Sequence, residues 1–208
     1  MLRRANTDRK WLALTFDDGP DPRYTPRLLE LFRAYDAKAT FFVLGEALER
    51  RRELAAAIVR EGHELGNHTY GHPDLTTLSE SAIRLEAERA AALLRDVSGE
   101  TPRLFRPPFL AYDDRVAAVC EELGYTVVGG VNTETRDWDM PGVDHIVSTV
   151  LEAAENGSII FLHDSGGDRS QTVAAVERLL PALVEEGYRL VTVGELLAGA
   201  NGGDAVLQ

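Results

Sequence analysis

A single cysteine, Cys120, in a chain of 208 residues excludes an internal disulfide and leaves the redox compartment undefined. It lies in "RVAAVCEELGY", whose helical spacing marks it as a small core residue. No stretch approaches the ~18 consecutive apolar residues that a membrane-spanning helix requires. Basic side chains are scarce: 22 Lys and Arg against 34 Asp and Glu give a formal net charge of −12. That balance argues against non-specific nucleic-acid binding and against an anionic membrane patch, and it suits a neutral or cationic substrate. The opening "MLRRANTDRK" carries charge but no apolar h-region, so it does not read as a signal peptide. No linker, repeat or low-complexity stretch divides the chain. It reads as one domain over residues 11–197, with flanking tails at 1–10 and 198–208, the terminal "NGGDAVLQ" being expected to fray.

What the chain does contain is a regular alternation of strand and helix. Short apolar, β-branched or aromatic runs recur at 11–16, 39–44, 63–66, 103–105, 126–131, 159–162 and 189–193. Amphipathic helical patterns separate most of them, at 25–37, 47–62, 79–99 and 171–187. Gly62, Gly99, Gly124 and Gly187 stand where helices favour a closing glycine, and Pro181 is expected to kink the last long helix. The alternation predicts an α/β fold with a parallel sheet and crossover helices. Periodicity leaves two closures open: a doubly wound open sheet, or a (β/α) barrel one strand short of eight.

The unusual polar residues follow the predicted strands. Asp17 and Asp18 end the first, "NHTYGH" (67–72) follows the third, "RPPF" (106–109) the fourth, "ETRDW" (134–138) the fifth and "HDSGG" (163–167) the sixth. In parallel α/β folds the carboxyl ends of the strands share one face, where active sites gather, so these distant segments are expected to meet. Adjacent carboxylates repel unless a cation relieves them. His68 and His72, four residues apart, have metal-ligand spacing and would face the same way on a short helical turn, although Pro73 disfavours helix there. Two His and one Asp leave coordination positions open, as a catalytic zinc-type site needs. The second Asp is then free to act as general base, gripped bidentately by Arg106. His163 suits a general acid, oriented by Asp137, and Trp138 is suited to wall a small apolar pocket. His63 and His145 read as structural or surface residues.

Taken together, these motifs resemble the polysaccharide deacetylases of carbohydrate esterase family 4, related to chitooligosaccharide deacetylases, in order and over nearly the whole chain. The resemblance implies a distorted (β/α) barrel with seven parallel strands. In "TFDDGP" it makes Asp17 the base and Asp18 a metal ligand, and in "HTYGH" it makes His68 and His72 ligands. Arg106 of "RPPF" would steady the base, and the backbone N–H of Phe109 would help hold an oxyanion. Phe109-Leu110 stands where the family usually has Tyr-Gly. Asp137 and Trp138 match the fourth motif, in which Glu134 replaces an Asp. In "LHD", His163 would be the acid and Leu162 would line the acetyl pocket. The implied activity is metal-dependent removal of N-acetyl groups from N-acetylglucosamine-containing glycans such as chitin-like polymers, peptidoglycan or poly-N-acetylglucosamine. The implied cofactor is a divalent ion, zinc first, with cobalt, nickel or manganese as alternatives. An O-acetyl esterase such as an acetylxylan esterase would use the same residues, whereas a non-catalytic glycan-binding module would not need them. The family implies an extracellular or cell-surface setting.

Overall fold

The computed structural model describes residues 1–200 and the backbone of 205–207. Its centre is β2 (Trp11–Asp17), flanked by β3 (Ala39–Val43) and β7 (Ile159–His163). From β3 the sheet continues through β4 (Glu64–Asn67), β5 (Leu104–Phe105) and β6 (Thr126–Val127). The two residues of β8 (Arg189–Leu190) pair with the start of β2. All seven strands run parallel and curl as a distorted barrel, in agreement with the sequence expectation.

Strand parity explains why these runs are apolar on both faces. Leu12, Leu14 and Phe16 of β2, with Ile160 and Leu162 of β7, pack into a core shared with α1 (Thr25–Ala34) and α7 (Ser170–Glu185). Ala13 and Ile159 point the other way, into an interior cluster with Leu2, Phe42 and Val191. Two-sided burial is what a parallel sheet under crossover helices demands. The same parity puts Thr15 and Asp17 on the interior face.

The helical expectations hold with local changes. The pattern over 47–62 forms two helices, α2 (Gly45–Arg50) and α3 (Arg52–Arg60), broken at Arg51, where φ −139° is not helical. The pattern over 79–99 forms α4 (Glu80–Ser98), closed by Gly99 at φ 77°. It is followed by α5 (Asp114–Glu122) and α6 (Val143–Ala153). α7 continues unbroken through Pro181, and α8 (Val193–Ala198) begins where the seventh strand was expected to end. Among the described residues, no helix is long and apolar enough to cross a membrane.

The amino end is not a loose flank. Strand β1 (Leu2–Ala5) lies in the seam between the edge strands β6 and β7, bridging Leu2 to Val128 and Arg4 to Ser158. Leu2 and Ala5 are buried, and the backbone of β9 (Ala205–Leu207) pairs antiparallel with β1. The rest of the expected C-terminal fray, 201–204 and 208, lies outside the described residues.

Candidate active site

The strand ends converge as expected. Asp17 is the register partner of His163 on neighbouring β2 and β7, so their side chains emerge side by side. Asp18 follows in a left-handed conformation, φ 74°, which turns its carboxylate away from that of Asp17. The His68 Nε2 atom lies 3.5 Å from Asp18 Oδ1, and His72 Nε2 lies 3.2 Å from it. One donor atom from each of these three residues lies within 4.8 Å of the others. A cleft of about 400 Å³ opens at them, lined by Phe109, Leu110, Trp138 and Phe161 as well.

The donor set fits a divalent ion. His68 Nδ1 donates to the Arg106 carbonyl at 2.7 Å, since a carbonyl only accepts, and Nε2 is the ring nitrogen that faces Asp18. Among the described residues, Asp18 Oδ1 is buried without a hydrogen-bond partner, an expensive state for a carboxylate oxygen that a cation would relieve. Burial works against the Asp18 charge, but the imidazoles of His68 and His72 outweigh it and hold the carboxyl far below its usual range. Two imidazoles and one carboxylate suit zinc or a neighbouring transition ion, with positions left for other ligands.

Two ion pairs, one buried and one partly buried, flank this set. The Arg106 guanidinium, fully buried, donates to Asp17 Oδ1 at 2.6 Å and to the Thr15 hydroxyl at 2.8 Å. The expected bidentate grip does not form. The other guanidinium donors go to the carbonyls of Val128 (3.3 Å) and Gly129 (2.8 Å), so one carboxylate oxygen of Asp17 stays clear of the arginine. On the other flank, Asp137 accepts from His163 Nδ1 at 2.8 Å and from its backbone N–H at 2.9 Å. The Thr172 hydroxyl donates to the same carboxylate at 2.8 Å. Burial disfavours charge on His163, yet Asp137, with Asp17 and Asp18 beyond it, raises the imidazole above its ordinary value.

The ligand loop is not helical. Thr69 (φ 69°) and His72 (φ 62°) adopt left-handed backbone that turns His72 back over Asp18, so the spacing works through a tight loop rather than a helical turn. Leu162 is also placed differently. It is fully buried in the core between sheet and helices, and Phe161, one residue earlier, faces the cleft. Strand alternation counted back from His163 carries this signal. Trp138, 41% exposed, stands edge-on to His163 with ring centroids 5.2 Å apart, as a wall residue should. The Phe109 ring packs against His72 at 4.6 Å. His63 is buried and His145 is exposed, each outside the cleft, as expected.

Sequence reasoning missed Asp164. It is fully buried, accepts from the Thr25 hydroxyl, and has its carboxyl pushed up to about 7, chiefly by burial. A Cβ at position 19 would lie 2.3 Å from its Oδ1, which is why glycine follows the aspartate pair. Nothing in the local pattern distinguishes it from a loop residue after His163.

This parallel barrel brings together an Asp-His-His donor set, a carboxylate–guanidinium pair and an imidazole–carboxylate pair, the residue types that hydrolytic centres use. Residues 4–128 match the polysaccharide deacetylase family. Over 191 residues the chain is 44% identical to a peptidoglycan-N-acetylglucosamine deacetylase of Bacillus cereus, covering 91% of this chain and 89% of that protein. Over 196 residues it is 36% identical to a chitooligosaccharide deacetylase of Sinorhizobium fredii, covering 89% and 91%. The crystal structure of the Bc1960 peptidoglycan N-acetylglucosamine deacetylase superposes with a TM-score of 0.87 at 32% identity, covering 93% of this chain and 91% of that one. The chain belongs to the polysaccharide deacetylase family.

Proposed function

We propose that this protein removes acetyl groups from N-acetylglucosamine units of a glycan, releasing acetate and a free amino sugar, with a divalent ion held by Asp18, His68 and His72. One observation carries the reading: an open donor set lies in the same cleft as a carboxylate paired with Arg106 and an imidazole paired with Asp137. When bound, the ion supplies Lewis acidity to the acetyl carbonyl and lowers the pKa of water toward neutrality.

The chain's own residues supply the proton transfers. Asp17 is the base. Arg106 fixes Oδ1, while Oδ2, 4.0 Å from His68 Nε2, faces the donor set and accepts the proton of the attacking water. His163 is the acid. Its Nδ1 is committed to Asp137, so Nε2 delivers the proton that the leaving amine nitrogen requires. The Phe109 N–H serves as donor to the developing oxyanion. Trp138 and Phe161 offer the apolar surface for the acetyl methyl group.

Relatives named for peptidoglycan and for chitooligosaccharides point to wall-type or chitin-like substrates, and we place the action of this chain outside the cytoplasm accordingly. The test is acetate release from N-acetylglucosamine oligomers, peptidoglycan and acetylated xylan, with and without chelator. We expect release from the amide substrates, lost on chelation and restored by zinc. Release from xylan alone would reassign the enzyme as an esterase. Release indifferent to thorough chelation would remove the metal from the mechanism.

A further inference from the structure

The ligand loop adopts a conformation that its sequence does not favour. Thr69 and His72 both have positive φ, and neither is glycine. Left-handed backbone costs a non-glycine residue about 1–2 kcal/mol. The loop keeps this shape only if its surroundings enforce it, and the shape aims His72 at Asp18.

Three sets of hydrogen bonds enforce it. The first is local: Asn67 Oδ1 accepts from the Thr69 N–H at 2.9 Å, and the Thr69 hydroxyl accepts from the His72 N–H at 3.1 Å. The amino end of α2 supplies the second set, with Gly45 and Glu46 N–H donating to the carbonyls of Thr69 and Tyr70, each at 3.0 Å. The third comes from α4. Glu86 Oε2 accepts from both the Tyr70 N–H (3.0 Å) and the Gly71 N–H (2.8 Å). The next residue of the same helix, Ala87, accepts from Asn67 Nδ2 at 2.9 Å through its carbonyl. One turn of α4 therefore grips the loop at both ends. Of these contacts, the Glu86 pair is the charge-assisted one, roughly twice as strong as neutral hydrogen bonds.

We propose that Glu86 is a positioning residue for the metal ligands, its carboxylate holding the loop in the turn that brings His72 to His68 and Asp18. This inference rests on the metal-site reading above. Glu86 is not among the clustered donors, so it acts through the loop backbone. In the sequence it lies in "AIRLEAERA", where it reads as an ordinary helix-surface acid.

The experiment compares the wild type with Glu86→Ala, Glu86→Gln and, as control, Glu88→Gln on the exposed side of the same helix. Zinc affinity is measured by chelator competition, the cobalt-substituted absorption spectrum is recorded, and thermal unfolding is followed in the metal-free state. Glu86→Ala is expected to weaken zinc binding about 10- to 100-fold, the range for lost supporting contacts to ligands. Its cobalt spectrum should change. Glu86→Gln, which keeps an acceptor oxygen, should recover most of the affinity, and Glu88→Gln should match the wild type. Metal-free unfolding temperatures should stay close together. Zinc affinity within twofold of wild type in both Glu86 variants would overturn the proposal and leave the metal site standing. If Glu86→Ala fails to fold, Glu86→Gln decides, because wild-type zinc affinity with a wild-type cobalt spectrum is expected there only alongside a defect in Glu86→Asp, whose shorter arm withdraws the oxygen; an intact Glu86→Asp site overturns it. A wild-type protein that binds no zinc or cobalt would overturn this inference and the functional reading together.

Discussion

The two ends of the barrel treat buried polar groups in opposite ways. At the amino end of the strands, Glu64 accepts from the Thr40 hydroxyl at 2.8 Å and the Gly194 N–H at 2.9 Å, and Thr40 in turn accepts from the Val193 N–H at 2.8 Å. His63 accepts from the Ala39 N–H at 3.1 Å and stands edge-on to Phe32 and Phe41. Burial pushes its imidazole down to about 4, so it stays neutral. At the carboxyl end, two buried carboxylate oxygens, Asp18 Oδ1 and Asp164 Oδ1, lack hydrogen-bond partners among the described residues. An unmet buried acceptor costs about 1–3 kcal/mol. The lower end uses polar groups to cap and seal, and the upper end leaves them in want of a cation or a substrate. β4 shows both in four residues, with the sealed His63 just before it and the donor His68 just after.

Substitutions at the carboxyl end should cost the most. Asp17→Asn should lower the rate of acetate release about 10²- to 10⁴-fold while zinc remains bound, whereas His68→Ala should lose zinc as well. Elemental analysis with an acetate assay separates the two, and a normal rate in Asp17→Asn would remove it as base. Arg106→Met strands the Asp17 carboxylate in the interior and should cost about 3–5 kcal/mol in urea unfolding, largely recovered by adding Asp17→Asn. A loss of under about 1 kcal/mol would mean that this pair carries little of the load. Asp137→Asn removes the charge that holds the His163 pKa up. With His163 as the proposed acid, turnover needs the protonated imidazole and is lost as pH rises through its pKa, so the alkaline limb of kcat/KM should move to lower pH. An unmoved limb would uncouple the two residues.

The smallest effect on turnover belongs to the sealed end. The folded pKa of His63, about 4, lies below its unfolded value of 6.5. Its contribution to stability is therefore complete above pH 6.5 and is lost as pH falls through the window to about 4. His63→Gln should flatten that part of the stability profile in urea titrations and leave acetate release at pH 8 unchanged. A steeper acid loss in the variant would contradict the neutral assignment.

Much of this contrast was legible in the sequence because parallel strands bury both faces and so announce themselves as short apolar runs. The reactive residues sit at their ends, and Asp17, Asp18, His68, His72, Arg106, Asp137 and His163 meet accordingly. What was not legible depends on partners far away in the chain. Spacing alone does not reveal that Thr69 and His72 turn left-handed, since amides and carbonyls of other elements enforce it. Arg106 binds Asp17 through one nitrogen because two backbone carbonyls from residues 128 and 129 claim the others. Alternation counted from His163 puts Phe161, not Leu162, on the cleft side. The "LRRA" of β1 has too few apolar residues to declare a strand, and only the seam it fills explains its burial.

That seam gives the amino terminus a line to the chemistry. The Leu2 carbonyl accepts from the Gly129 N–H at 2.7 Å, and the carbonyl of that same peptide group, on Val128, receives Arg106 Nε. A single amide plane thus joins the first strand to the guanidinium that pairs with Asp17. Trimming residues 1–5 would remove the carbonyl that holds this peptide and open the seam between β6 and β7. The first strand is thus part of the frame that seats Arg106, not a free end for attaching a tag.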